Sequence, residues 1–100
     1  MENNDMTFEN RVRDASRAAL EDLGLSNTVK VTDARRDIES SRVSVDLTEQ
    51  TGPTEFSYHS FYLDSVEASN AAGGGYMTLE ILKPLALREI LKIFPESAIH

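Results

Sequence analysis

A chain of 100 residues with 40% hydrophobic and 27% charged side chains has room for one layered core, burying roughly 65% of its unfolded surface, and none for a second domain. Seventeen acidic against ten basic side chains leave a formal charge of -7, which works against non-specific attraction to phosphate backbones and anionic membranes, so neither nucleic acid nor membrane is an expected partner. The absence of cysteine excludes a disulfide framework, a thiolate metal site and a thiol nucleophile, and it points to the cytoplasm.

The opening MENNDMT is polar and acidic, and no apolar run approaches the ~18 residues of a membrane span. Residues 1–6 read as a flexible tail, 7–95 as one domain and 96–100 as a second tail. From Phe8 the apolar side chains fall at Phe8, Val12, Ala15, Ala19 and Leu23, the stripe of an amphipathic helix. Thr7 or Asp5 is placed to cap its start, and Gly24 is placed to end it in the left-handed conformation. Glu9, Arg13, Arg17 and Glu21 occupy the opposite, solvated face.

After Gly24 the period changes to two. Val29 and Val31 alternate with Thr28, Lys30 and Thr32, which predicts a strand beginning near Asn27, and the charged run DARRDIESS reads as the connection that follows. Val43, Val45 and Leu47 then alternate with polar neighbours in a half-buried strand. Gly52 and Pro53 mark a turn that sends the chain back antiparallel. Glu55 to Asp64 alternates with Phe56, Tyr58, Ser60 and Tyr62 on one face and Ser57, His59, Phe61 and Leu63 on the other. Rings on both faces suit a central strand.

Ser65 to Gly75 is a linker in which Asp64 or Ser65 is placed to cap a short helical turn. Met77, Leu79 and Ile81 alternate with Tyr76, Thr78 and Glu80, so a fourth strand is expected there. Pro84 would cost a continuous helix about 3 kcal/mol, and it fits the first turn of a separate second helix that ends at Pro95. The expected fold is α+β: helix, four-stranded antiparallel meander sheet, helix, with both helices packed on one face.

Chemistry is sparse in this pattern. His59 and His100 are the two histidines, and no metal-ligand spacing is present, so no metal is expected. No serine elbow and no convergent acid pair appear, which leaves no catalytic residue to name. Asn70-Ala71-Ala72-Gly73-Gly74-Gly75 resembles the Arg/Gln-x-x-Gly-x-Gly/Ala loop with which GNAT acetyltransferases hold the pyrophosphate of acetyl-CoA, and the preceding HSFYLD is similar to a strand of those enzymes. Asn70 stands where that family has Arg or Gln, and the residues after Gly75 alternate instead of opening a helix. The helix–meander–helix order resembles the small ring-forming neck and tail-terminator proteins of tailed phages, in element order alone.

The expectation is therefore a small acidic, non-enzymatic protein–protein interaction or assembly module without a cofactor. Its partner is another protein, a second copy of itself included. The expected interaction surface is Phe56, Tyr58, Tyr62 and Tyr76, on aromatic exposure and on the edges that a small meander leaves open. The alternatives are an acetyltransferase-like protein that binds acyl-CoA or a nucleotide through Asn70–Gly75, and an acidic inhibitor of a nucleic-acid-binding protein.

Overall fold

A computed structural model describes residues 7–37, 39–73 and 78–98. Its elements are helix α1 (Phe8–Asp22), strands β1 (Val29–Arg36), β2 (Arg42–Gln50) and β3 (Phe56–Asp64), the short helix α2 (Ser65–Ala71), helix α3 (Leu79–Ile93) and a 3-10 turn over Pro95–Ala98. The fold is α+β with one antiparallel sheet in the order β1-β2-β3.

α1 is closed at both ends by local chemistry. The Thr7 hydroxyl accepts the Asn10 N–H at 3.3 Å, satisfying one of the donors that every helix start leaves unpaired. At the other end Gly24 takes φ +73, and the N–H groups of Gly24 and Leu25 return to the carbonyls of Glu21 and Leu20 at 3.1 and 2.8 Å. This is the paired closure of a Schellman motif, with Leu25 and Leu20 as its apolar clasp. Between these caps Phe8, Val12, Ala15, Ala19 and Leu20 are buried.

The strands obey the alternation that their sequences carry. Val43, Val45 and Leu47 of β2 are at most 1% exposed and face Leu63, Phe61 and His59 of β3. β1 is longer than its valines suggest and runs through the charged Asp33–Arg36 segment. A shift of register between Val31 and Asp33 makes this workable. The Asp33 carboxylate accepts the Ala34 N–H at 2.9 Å, and the extra residue turns Ala34 inward, 6% exposed, while Arg35 and Arg36 stay in solvent.

Among the described residues the expected fourth strand is absent. Leu79–Ile81, its second half, is the first turn of α3, which carries Pro84 in its interior, and residues 74–77 lie outside the described part of the chain. The apolar line that drives α3 is Leu82, Ala86 and Ile90, spaced four apart and each fully buried. Lys83 does not interrupt it, because its ammonium reaches back to Asp22 of α1 at 2.7 Å. Burial of three side chains outweighs the ~3 kcal/mol cost of an interior proline, at ~1.5–3 kcal/mol for each large one.

A second correction concerns β3, which stands at an edge, with β2 in the centre. α1 packs on β1 and β2, while α3 packs on α1 and β3. The core is the space between these two helices and one face of the sheet.

α2 is capped by Asp64, whose carboxylate accepts the Val66 N–H at 2.8 Å, and it is tied to α3 by Arg88, which donates to Glu67 at 2.8 Å. That hydrogen bond holds the Glu67 carboxyl below its ordinary range and raises the Arg88 guanidinium.

Two outcomes follow from these contacts. Pro84→Ala restores an N–H to the Glu80 carbonyl in mid-helix and should raise the unfolding free energy by about 2–3 kcal/mol in a denaturant titration; a proline at the start of a separate helix would give no gain. Arg88→Ala should cost about 0.5 kcal/mol at neutral pH, as exposed ion pairs do. Because Glu67 has a depressed folded pKa, the contribution is present above the ordinary carboxylate pKa. It is lost as pH falls through the folded value, so the difference between native and variant should vanish in acid.

Candidate functional site

The second face of the sheet carries every alternate residue that the core does not use. On β2 these are Arg42, Ser44, Asp46, Thr48 and Gln50, and opposite them on β3 stand Asp64, Tyr62, Ser60, Tyr58 and Phe56. Among the described residues no helix lies over this face. Tyr58 is 76% exposed, Tyr62 54% and Phe56 49%. A two-residue period places all three rings in one row along β3.

Charges flank the row. The Arg42 guanidinium lies 5.7 Å from the centre of the Tyr62 ring, within the range of a cation–π attraction. Arg35 of β1 bridges Asp46 at 3.0 Å and Asp33 at 3.2 Å, and the Thr32 hydroxyl donates to the Asp46 carbonyl at 3.1 Å. Thr32, Asp46, Thr48, Tyr58 and Ser60 line a broad open depression of about 510 Å³. An aromatic row beside paired charges presents ring faces, hydroxyls and a cation on one surface.

Phe56, Tyr58 and Tyr62 are thus brought together on one surface. Tyr76, the fourth expected member, lies outside the described residues. Sequence reasoning missed Arg42, Arg35 and Asp46 as members of this face. Parity along β2 carried the signal for Arg42 and Asp46, since both alternate with the buried Val43 and Val45.

His59 points the other way, toward the helices. Its Nε2 is 3.0 Å from the Glu49 carboxylate, and its ring meets the edge of Phe94 at 5.0 Å with the planes 69° apart. These contacts join β3 to β2 and to the end of α3. Glu49 has the parity of Leu47, which is how the sequence encodes the pairing.

The glycine segment opens differently from the expectation. Asn70 is exposed near the end of α2 and Gly73 takes φ +61 just after it; Gly74 and Gly75 lie outside the described residues. The chain then enters a helix at Leu79 instead of a strand. The first turn of α3 carries Glu80, a carboxylate in the region of positive potential where a phosphate would sit. Among the described residues no three His, Cys, Asp or Glu side chains are grouped as metal ligands, and no helix is long and apolar enough to cross a membrane.

Comparison with protein-family models, with curated proteins and with solved structures finds no match to this chain.

Proposed function

We propose that this chain is a protein-binding module that docks its partner on the open face of the sheet, with Phe56, Tyr58 and Tyr62 as the anchors. The observation that carries this reading is the row itself: three large aromatic side chains of one strand, each about half exposed or more, on a face that no described helix covers. Isolated exposed apolar residues are ordinary, but three rings on one sheet face, with only Ser60 between Tyr58 and Tyr62, make the kind of patch that marks an interaction site. Tyrosine adds to this, because its ring buries a large area with few torsions to freeze while its hydroxyl remains free to hydrogen-bond.

The flanking Arg42 supplies the cation that aromatic hot spots frequently adjoin. The reading is non-enzymatic: His59, the internal histidine, is engaged with Glu49 and Phe94 on the covered side, away from the open face. We place the module in the cytoplasm on the absence of cysteine.

The test is differential capture from a lysate of the source organism, with the native chain and a Tyr58→Ala, Tyr62→Ala double variant as baits. Both side chains stand in solvent, so the variant should keep the native circular dichroism and lose no more than about 1 kcal/mol of stability per site. Partners retained by the native chain should be lost with the variant. Equal recovery on both baits would place the binding surface elsewhere.

A further inference from the structure

The two edges of the sheet are built differently. β1 carries Lys30, Asp33, Arg35 and Arg36 together with a break of register between Val31 and Asp33, the devices that keep an edge from pairing with another strand. β3 has none of them. From Phe56 to Leu63 it contains no Lys, Arg, Asp, Glu, Pro or Gly, and its pairing with β2 runs unbroken.

Its outward groups can be identified. Thr51 N–H donates to the Glu55 carbonyl at 2.9 Å, Ser65 N–H to the Ser41 carbonyl at 2.6 Å, and Gln50 N–H to Thr28 on the β1 side at 2.8 Å. Alternation along an antiparallel ladder then turns the backbone groups of Ser57, His59, Phe61 and Leu63 toward β2 and those of Phe56, Tyr58, Ser60 and Tyr62 outward. Among the described residues no backbone group takes these outward donors and acceptors. The exposed large hydrophobics, Phe56, Tyr58, Tyr62, Val66 and Leu79, all belong to β3 or to the helices that follow it, and none to α1, β1 or β2.

We infer that β3 pairs antiparallel with β3 of a second copy about a twofold axis through Ser60, joining two three-stranded sheets into one of six strands. This rests on the reading that the Phe56, Tyr58 and Tyr62 row is the interaction surface, and it assigns the edge beside that row to a second copy. Outward groups bond only to outward groups, and centring on Ser60 is the register that overlaps the whole strand. It sets Ser60 opposite Ser60, Phe56 opposite Asp64, and Tyr58 opposite Tyr62 twice, an aromatic cross-strand pair repeated by the symmetry.

Charge favours a second copy on this edge over any other contact between copies. Two chains of -7 repel, and Phe56–Leu63 carries no fixed charge to add to that repulsion. Asp64 at the end of the strand stands opposite Arg42 in the ladder, and its carboxylate is taken up in capping α2 through the Val66 N–H. The joined sheet doubles the aromatic row on one continuous face.

Sedimentation over a wide concentration series tests this. The native chain should reach a dimer. Ser60→Lys, at an exposed position, sets two ammonium groups opposite each other on the axis and should weaken dimerisation about tenfold or more while leaving the monomer's melting curve unchanged. Ser60→Cys should link into a covalent dimer on mild oxidation, since opposed hydrogen-bonded Cα atoms stand about 5.5 Å apart, and Lys30→Cys on the other edge should not.

A native chain that is monomeric at every concentration overturns the inference, as does a dimer that Ser60→Lys leaves intact. If that intact dimer, or a captured foreign partner, is lost with Tyr58→Ala, Tyr62→Ala, the open face remains the binding surface and only the edge pairing fails. If neither substitution disturbs any association, both readings fall.

Discussion

Val43, Val45 and Leu47 lie in the central strand with at most 1% of their surface exposed, and the remaining architecture follows from keeping them there. Their parity fixes which face of the sheet is dry. It therefore fixes the parity of β3, where Phe61 and Leu63 are opposed to them, and the register break that brings Ala34 of β1 to the same face. α1 and α3 close over that face with Val12, Ala15 and Ala19 on one helix and Leu82, Ala86 and Ile90 on the other. The alanines on both helices keep the layer thin enough for close packing. A one-residue slip in β2 would exchange the two faces and expose the whole set.

The same constraint creates the surface that we read as functional. With both long helices committed to one side, the other side is left with β2's polar residues and β3's rings. The ion pairs of Arg35 with Asp33 and Asp46 occupy the β1 half of that face, and the aromatic row occupies the β3 half. Charge, bulge and arginines together protect one edge, while the opposite edge is regular and neutral. The asymmetry is that of the sheet itself: its β1 half carries the ion pairs and its β3 half carries the exposed rings.

Much of this was legible where the determining forces are local. α1, with Thr7 and Gly24 at its ends, is written in consecutive residues, and so are the β2–β3 hairpin and the Asp64 cap of α2. The faces of β3 follow from a period of two. What sequence could not supply were decisions made by tertiary contact. Leu79 and Ile81 alternate with polar residues over a window too short to separate a strand from a helix, and Pro84 weighed toward the wrong choice because the Leu82-Ala86-Ile90 line includes a small residue. The charged end of β1 looked like a loop, since only a bulge makes a strand of it. His59 was visible as a lone histidine, but its partners Glu49 and Phe94 depend on strand register and on the path of α3.

Among the described residues the sheet is covered by helices on one side and open on the other, with the Tyr58, Tyr62 and Phe56 rings on the open side. Paramagnetic relaxation by a soluble gadolinium chelate, measured on ring and methyl protons in a dilute sample, tests that arrangement directly. Strong broadening of the Phe56, Tyr58 and Tyr62 ring signals, with Phe61, Leu47 and Ile90 untouched, is the predicted result. Tyr58 and Tyr62 rings as protected as that of Phe61 would contradict it.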